Sequence, residues 1–517
     1  MVKIHKIFGS PGTGKTTYLA KKAEEFGTGW YIVYNRAMQH DATERFAESI
    51  EVKTLHSTCY HLLGLRDKDM LPPDKITMFL KEHGIESVDQ DFREEGFYNG
   101  SSLGGRVMSE IDKARNTYSS PGDVDGFDGD IVGLWEEYKD WKGSLYDYTD
   151  MLEYVDRSED YTIYPQYLFI DEAQDYTPLM WHVIDKFIHN TANDVFIAGD
   201  EYQKIYGMRG VGDDFYLHNQ DEEVVLTKSY RLKRAVYDHA FRMSDMMVNI
   251  HPREIDVQEG GEVGEMEMEE MIDYLRAHKN EKIFILGRTK YSFLGLRKNE
   301  VTVKPGLKHI LTSAGIPYLT LNDMHSGLTP WSPKFVDKFN SYLDYVEGKK
   351  ISRESAIKFA LKFPAETASH GKIRLKHGIK ASLERLSKES GLVDTIDVNE
   401  MNGWFTVVPS HNELFNEIFQ PAQRSAIIGY GETRPPDIKD INIFADTIHA
   451  SKGMEADTVF IDKSISGRVK DSLVSDDDEV VSDEYKVWFT GATRARNKLF
   501  YFDSEVFDYK FPVEDFT

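Results

Sequence analysis

The sequence predicts an α/β protein with two parallel β-sheets, each interrupted by an inserted segment that is mainly helical or mixed. Three observations support this fold class: a phosphate-binding loop near the N-terminus, several apolar runs that end in acidic or polar residues, and two long interruptions at residues 61–150 and 325–435. Short apolar runs are typical of strands that are buried on both faces of a parallel sheet. Functional groups of such sheets collect at the carboxyl ends of the strands.

The first element is the loop at residues 9–16, GSPGTGKT, which fits the pattern G-x-x-x-x-G-K-[ST]. It follows an apolar run that ends at Phe8 and precedes a helical pattern over residues 18–25. Its glycines let backbone N–H groups face the phosphates of a nucleoside triphosphate, Lys15 reaches the β- and γ-phosphates, and the Thr16 hydroxyl binds Mg²⁺. The alternative is a glycine-rich turn that matches by chance. The predicted nucleotide-binding residues are Gly9, Gly12, Thr13, Gly14, Lys15, Thr16 and Thr17.

Further strands complete a first α/β unit, predicted over residues 1–60 and 151–235, with residues 61–150 as a helical insertion. The strands are the apolar runs 30–34, 167–170 and 194–198. Directly after the second of these runs come Asp171 and Glu172. An acid at such a strand tip holds Mg²⁺ in phosphate-loop enzymes, and a second acid takes a proton from the attacking water. Acids often simply end strands, but behind a phosphate loop this pair predicts an ATP or GTP hydrolase.

A second α/β unit is predicted over residues 236–324 and 436–517, with residues 325–435 as its insertion. Its strands are the apolar runs 282–286, 316–319, 458–461 and 499–502. Residues 259–275 fit either a strand edge or an exposed helix, and the acidic run 475–479 is predicted to be a solvent-exposed loop.

Composition restricts the class of protein. With 62 Lys and Arg against 87 Asp and Glu, the net charge is −25, which argues against a protein that coats nucleic acid by bulk charge. Residues 349–388 nevertheless hold eleven Lys and Arg against three Glu, which indicates either a surface facing a polyanion or a solvated helix face. The single cysteine, Cys59, excludes an internal disulfide and a cysteine-rich zinc site. Without a signal-like or membrane-length apolar run, a cytoplasmic protein with no membrane contact is expected.

Eight short motifs occur in a fixed order along nearly the whole chain. They are NRA at 35–37, TLHS at 54–57, YTDML at 148–152, DEAQD at 171–175, GDEYQKIYGMRG at 199–210, SYR at 229–231, IHASKGME at 448–455 and TRA at 493–495. Together with the phosphate loop they resemble superfamily 1 DNA helicases of the UvrD/Rep/PcrA type. The resemblance implies two RecA-like domains that bind ATP and Mg²⁺ in the cleft between them, with Thr16 and Asp171 at the metal and Glu172 as the base.

Other nucleotide contacts follow from the same resemblance. Arg231 and Arg494 would stabilise the γ-phosphate from across the cleft, and Gln203 would sense it; surface salt bridges are the alternative for the arginines. Tyr230 would stack on the adenine, with a core tyrosine as the alternative, and Glu455 would bind the ribose or order its loop.

The resemblance also implies residues that contact single-stranded DNA. Tyr206 would stack on a base, with core packing as the alternative. His449 would couple the nucleotide and DNA sites. The other DNA-facing candidates are Asn35, Thr54, His56, Ser57, Met208 and Arg209.

Two departures from the family pattern affect these expectations. Only eight residues precede Gly9 in this sequence, so we expect the upstream glutamine segment, which reads adenine in the family, to be missing and GTP use to be open. Met208 stands where an aromatic residue usually stacks on a base, which predicts a weaker grip on the strand.

The expected function is that of a monomeric ATP-dependent helicase or translocase moving 3′→5′ on single-stranded DNA or at single/double-strand junctions. The alternative is a translocase or nucleotide-controlled module that remodels protein–DNA complexes with a replication or repair protein and unwinds poorly. The segment IHASKGME favours 3′→5′ movement, because 5′→3′ relatives tend to lack its glutamate.

Overall fold

The structure is a computed structural model that describes residues 2–34, 36–43, 45–87, 102–158, 165–298, 301–322, 327–365, 373–388, 394–431 and 433–516. The elements of its first part are β1 (Ile4–Gly9), α1 (Lys15–Phe26), β2 (Gly29–Val33), α2 (Arg36–Thr43), β3 (Ile50–Thr54), α3 (Leu55–Leu62), α4 (Pro73–Glu82), α5 (Leu103–Asn116), α6 (Ile131–Lys142), α7 (Tyr148–Arg157), β4 (Leu168–Ile170), α8 (Pro178–His189), β5 (Val195–Gly199), α9 (Asp214–Leu217), β6 (Glu222–Leu226), β7 (Lys228–Lys233) and α10 (Arg234–Arg242).

The elements of the second part are β8 (Asp256–Gln258), β9 (Glu262–Glu265), α11 (Met268–Ala277), β10 (Ile283–Gly287), α12 (Tyr291–Leu294), β11 (Leu296–Lys298), β12 (Val301–Lys304), α13 (Leu307–Ser313), α14 (Pro333–Val346), β13 (Ile351–Ser352), α15 (Arg353–Ala360), α16 (Ile379–Leu386), β14 (Thr395–Ile396), α17 (Val398–Asn402), α18 (His411–Ile418), α19 (Pro421–Tyr430), β15 (Ile443–Thr447), β16 (Ala456–Asp462), β17 (Ser464–Ile465), α20 (Gly467–Leu473), α21 (Asp478–Ala492), β18 (Ala495–Phe502) and β19 (Tyr509–Lys510).

The first sheet has six strands in the order β3-β2-β4-β5-β1-β6, all parallel. Its central strands are apolar along their whole length because both faces are covered, so all five residues of β2 and of β5 are buried. The carboxyl ends of β1, β4 and β5 are neighbours, and each is followed by one of the predicted nucleotide motifs. The topology therefore brings the phosphate loop, DEAQD and the GDEYQ segment to one edge.

A second parallel sheet has five strands in the order β15-β10-β16-β18-β9. The loop after β15 carries IHASKGME, and α21 ends at the TRA motif. One continuous apolar core contains residues from inner faces of both sheets, including Ile170 and Ile197 from the first and Leu286 and Ile461 from the second. The two sheets are thus packed against each other through a shared core.

The two predicted insertions pack in different ways. Helices α4, α5 and α6 enclose a separate apolar cluster that includes Phe79, Ile111 and Tyr138. The second insertion, with α14 to α19, packs onto the outer face of the second sheet in one cluster that contains both Phe339 and Phe460. Within the described ranges, no helix has the length and apolar character needed to cross a bilayer.

Several expectations about elements and boundaries are corrected. Residues 316–319 form no named strand; Leu319 alone makes an isolated bridge with Phe444, since Pro317 has no N–H to donate to a ladder. The predicted boundaries at residues 60 and 150 fall inside α3 and α7, whose apolar residues belong to the shared core. Residues 259–275 contain both proposed elements, the edge strand β9 and then α11.

The acidic run 475–479 is also only partly a loop, because Asp478 and Glu479 form the first turn of α21 and the Asp477 side chain caps it by accepting from the Glu479 backbone N–H. Carboxylates favour that position, since the first turn of a helix exposes unpaired N–H groups and a positive dipole end.

Candidate nucleotide-binding site and nucleic-acid face

The phosphate loop lies at the carboxyl end of β1 and leads directly into α1. Gly12 and Gly14 have φ of 72° and 83°, a left-handed conformation that glycine adopts without strain. A Cβ at Gly9 would lie 2.6 Å from the Lys15 side chain, so the loop closes tightly around that lysine. The Lys15 ammonium is buried, donates to the Gly9 carbonyl at 2.8 Å and lies 3.8 Å from the carboxylate of Asp200.

Three residues of the SYR motif hold the outer side of this loop. The Ser229 hydroxyl donates to the Pro11 carbonyl at 2.9 Å, and the Tyr230 N–H donates to the Gly12 carbonyl at 2.9 Å. A Cβ at Gly12 would approach the Cβ of Arg231 to 2.3 Å, so only glycine fits there. The phosphate loop and the SYR segment are therefore packed directly against each other.

Asp171 follows β4 and faces the start of α1. One carboxylate oxygen, Oδ2, accepts from the Thr16 hydroxyl at 2.7 Å and from the Tyr31 hydroxyl at 2.5 Å. Burial and the adjacent Glu172 raise the pKa of this carboxyl, which the two hydroxyls partly offset. A hydroxyl and a carboxylate at one point suit Mg²⁺, which usually completes its shell with water and substrate phosphates. Among the described residues, no group of three or more His, Cys, Asp or Glu could hold a metal.

Glu172 begins the turn after Asp171 with φ of 51°, an uncommon left-handed conformation for a residue with a side chain. Its carboxylate accepts from the Gln174 amide at 2.6 Å and lies 3.9 Å from the Lys452 ammonium. Burial raises the pKa of Glu172, but the nearby ammonium groups of Lys452 and Lys15 lower it by more. The net shift of this pKa is therefore downward. The carboxylate is therefore ionised at neutral pH, as a proton acceptor must be.

Arg494 reaches this cluster from the second sheet. Its side chain is 1% exposed, and its guanidinium donates to the Gln203 side-chain oxygen at 2.9 Å, the Thr490 carbonyl at 2.9 Å and the Met454 carbonyl at 3.1 Å. Burial, together with repulsion from Arg231, lowers the pKa of Arg494 to about 9. The guanidinium remains charged at neutral pH, and its acceptors are neutral oxygens.

Arg231, on β7, is the second cation of the cluster. Its Nε donates to the Glu455 carboxylate at 2.5 Å, and Arg496 also contacts that carboxylate. Burial lowers the pKa of Arg231 to about 10, against the attraction of Glu172 and Asp200. Surface salt bridging, the alternative for both arginines, does not describe Arg494 and describes Arg231 only in part.

The remaining nucleotide candidates differ in exposure. Gln203 is buried, and its side-chain nitrogen has no hydrogen-bond partner among the described residues, so a donor is free for an anion in the cleft. Tyr230 is 67% exposed, which rules out the core-tyrosine alternative and leaves its ring open to a base. Thr13 is buried within the loop, whereas Thr17 is exposed on the first turn of α1. Two arginines, Lys15 and an unpaired amide donor around one cleft fit a nucleoside triphosphate.

Of the nucleic-acid candidates, the TLHS segment has a local structural role. Thr54 and Ser57 form a capping box at the start of α3, each hydroxyl accepting from the other residue's backbone N–H at 3.1 Å. Burial lowers the pKa of His56 to about 4, so its ring is neutral. Asn35 lies outside the described residues.

The segment after Gln203 forms a stack of side chains between the two sheets. Tyr206 is only 8% exposed; its ring stacks on Tyr34 at 5.3 Å, with Arg209 at 4.8 Å from the ring centre. Core packing, the alternative for Tyr206, describes this arrangement. Met208 is 59% exposed.

His449 joins the second sheet to the same segment. Its Nε2 lies 3.2 Å from the Ile205 carbonyl and donates to it when protonated there. Burial, with nearby Arg288 and Arg209, lowers the pKa of His449 to about 3, so the ring is neutral.

Three residues at the site were not predicted. Tyr31, on β2, donates to the Asp171 carboxylate. Arg253 donates to the Ser10 hydroxyl at 3.0 Å and to the Glu201 carboxylate at 2.9 Å. Lys452 crosses from the second sheet to the DEAQD loop. Only Lys452 had a signal in the sequence, because it lies within the motif at 448–455.

Comparison with known proteins agrees with this geometry. Residues 1–209 match the family described as AAA domain, and residues 266–504 match the UvrD-like helicase C-terminal domain. The chain is 27% identical over 271 residues to F-box DNA helicase protein 1 of Schizosaccharomyces pombe, covering 46% of this chain and 30% of that protein. It is 25% identical over 266 residues to F-box DNA helicase 1 of Gallus gallus, covering 44% of this chain and 25% of that protein. The matched segments thus span less than a third of either relative.

Proposed function

Because the chain belongs to the UvrD-like helicases of superfamily 1, with two RecA-like domains, we propose that it hydrolyses ATP to move 3′→5′ along single-stranded DNA. The observation that carries this proposal is the meeting of Arg494 with Gln203 at 2.9 Å. It joins a cation of the second domain to the loop that follows β5 in the first. Closure and opening of this cleft would change which groups surround the nucleotide, as movement driven by hydrolysis requires.

In the proposed reaction, a water attacks the γ-phosphorus of ATP, the bond from that phosphorus to the bridging oxygen breaks, and ADP leaves. Glu172 accepts the proton of the water. Lys15, Arg231 and Arg494 stabilise the charge on the phosphate oxygens during transfer. Thr16 and Asp171 would hold Mg²⁺, which when bound would supply further positive charge near the β- and γ-phosphates. The amide nitrogen of Gln203 donates to the γ-phosphate and loses that contact when phosphate leaves.

The base and ribose would lie outside this charged pocket. The exposed ring of Tyr230 stacks on the base, and its backbone N–H already fixes the adjacent Gly12 carbonyl. Glu455 is held by Arg231 and Arg496 in the described structure, which favours loop ordering over ribose binding.

For DNA, we propose a path along the carboxyl edges of the two sheets. The exposed Met208 and the partly exposed Arg209 contact the strand there, with Asn35, Thr54, His56 and Ser57 along its backbone. The Tyr206 ring packs against the Arg209 guanidinium and reaches a base only if Tyr34 moves. His449 links this segment to the second domain and so couples the DNA path to the nucleotide cleft.

A directional strand-displacement assay tests the proposal. Duplexes with a 3′ or a 5′ single-stranded tail are mixed with enzyme and ATP, and Glu172→Gln serves as the matched inactive control. Displacement from the 3′-tailed duplex alone, absent in the variant, is expected. Displacement from the 5′-tailed duplex alone would contradict the polarity.

A second candidate is a translocase that displaces bound proteins, with a replication or repair partner, and unwinds poorly. The burial of Tyr206 and the thioether of Met208 favour it, because both reduce base stacking on the DNA path. Release of a protein block from single-stranded DNA, without strand displacement on either tailed duplex, is the result that distinguishes it.

A further inference from the structure

Lys452 connects the two domains at a point where catalysis depends on loop position. It follows a short helical turn, His449–Ser451, in the loop after β15 of the second domain. Its ammonium lies between the DEAQD loop and the GDEYQ segment of the first domain. We propose that Lys452 is a positioning residue that fixes the loop carrying Glu172 when the domains close. This inference rests on the proposed ATP hydrolysis.

The contacts of Lys452 are close and enclosed. Its Nζ lies 2.6 Å from Oδ1 and 2.5 Å from Oδ2 of Asp175, and donates to the Gln203 carbonyl at 2.6 Å. The Tyr206 ring centre lies 5.4 Å away, and the Lys452 side chain is 8% exposed. An ammonium has three donors, and these oxygens occupy them at short range.

Asp175 connects Lys452 to Glu172 through a backbone hydrogen bond. The Asp175 N–H donates to the Glu172 carbonyl at 3.0 Å, closing the turn Ala173–Asp175 that follows Glu172. Glu172 itself holds an unfavourable left-handed conformation, so its position depends on that turn. A cation on Asp175 therefore sets the geometry of the residue proposed to accept the proton.

Opening of the cleft would separate these groups, because Lys452 and its acceptors belong to different domains. Asp175 is 1% exposed, and a buried carboxylate that loses its cation is destabilised until its loop rearranges. The catalytic loop is thus held in place only in the closed arrangement. When the cleft is open, loss of the Lys452–Asp175 contact therefore suppresses hydrolysis.

Lys452→Met tests the proposal because it keeps the alkyl stem against Tyr206 and removes the charge. We expect the kcat of DNA-stimulated ATP hydrolysis to fall about 100-fold, the loss that misplacement of a catalytic group by about 1 Å produces. The KM for ATP, and the Kd for a fluorescent ATP analogue, should change less than about threefold, because the phosphate loop is untouched. A merely structural lysine would alter all three together or none.

Asp175→Asn completes a double-variant cycle. If Lys452 acts through Asp175, the double variant Lys452→Met/Asp175→Asn should be no slower than the slower single variant. If the fold-losses of kcat in the two single variants multiplied in the double variant, the proposal would be contradicted. Lys204→Met is the matched control, since Lys204 is also buried and also bridges the domains, through Asp213 at 2.9 Å and Asp483 at 3.0 Å. If Lys204→Met lowered kcat as much as Lys452→Met does, loss of any lysine between the domains would have the same effect. That result would contradict a specific role for Lys452.

The two levels of inference fail differently. Wild-type protein without ATP hydrolysis would remove the proposed function. If the wild type hydrolyses ATP and Lys452→Met has the same kcat, the proposed role of Lys452 is wrong but the proposed function is not contradicted.

Discussion

Arg494→Met separates a catalytic arginine from a structural one. In the described structure, the Arg494 guanidinium donates to neutral oxygens only, at Thr490, Met454, Gln203 and, at 3.4 Å, the Thr493 hydroxyl. Burying a cation that has no carboxylate in contact costs a folded protein several kcal/mol. Its place is explained if an anion enters beside it.

The structure gives the size of each expected effect. Loss of the donor to its three nearer acceptors costs the nucleotide-free protein about 3 kcal/mol, at about 1 kcal/mol each. Relief of the buried charge returns several kcal/mol, so the free energy of unfolding should stay within about 2 kcal/mol of wild type. Catalysis has no such compensation. An arginine that stabilises phosphoryl transfer accounts for about 10³- to 10⁵-fold in kcat, which corresponds to about 4–7 kcal/mol.

Two assays on the same preparations decide the matter. Urea denaturation without nucleotide gives the stability of wild type and variant, and steady-state hydrolysis with saturating ATP and single-stranded DNA gives kcat. The account predicts near-equal stability and a kcat at least about 1,000-fold lower. It is refuted by a variant that keeps more than a tenth of wild-type kcat, or by one that unfolds and loses activity in parallel.

Three further variants test other parts of the site. Lys15→Ala should lose hydrolysis, measured as phosphate release, because it removes the phosphate-loop cation; DNA-stimulated turnover at the wild-type rate would contradict this. Glu172→Gln should retain ATP in filter binding yet hydrolyse it at least about 100-fold more slowly, since the amide cannot accept a proton, and normal turnover would move the base elsewhere. Tyr31→Phe should raise the Mg²⁺ concentration needed for half-maximal binding of an ATP analogue several-fold, because one of two hydroxyl donors to Asp171 is lost. Tyr176→Phe is its control, a buried tyrosine whose hydroxyl has no hydrogen-bond partner among the described residues, and an equal effect in both would refute the role of Tyr31.

Much of the fold follows from the sequence because its strands are short, apolar and followed by motifs. The strands around the phosphate loop, before Asp171 and before Asp200 lie where the apolar runs predict them. The prediction of a strand over residues 316–319 is wrong. The run is apolar, but Pro317 lacks the backbone N–H that a strand ladder needs. Helices α3 and α7 cross the predicted domain boundaries because packing against the shared core, not composition, decides where an insertion begins.

The site was predictable where a motif contains the residue, and not where it depends on strand order. Tyr31 contacts Asp171 because β2 is the neighbour of β4, although the two residues lie far apart in the chain. Whether a side chain is open to a ligand also depends on its surroundings. Tyr206 and Tyr230 are the same residue type in equally specific motifs, yet one is buried beneath Tyr34 and the other is exposed.

The most direct test of the central claim is the rate of ATP hydrolysis with and without single-stranded DNA, with GTP measured in parallel. The two-domain site predicts hydrolysis that requires Mg²⁺ and rises when single-stranded DNA is added, because DNA on the carboxyl edges would favour closure of the cleft. Hydrolysis that does not respond to DNA, or none under any of these conditions, would contradict the account.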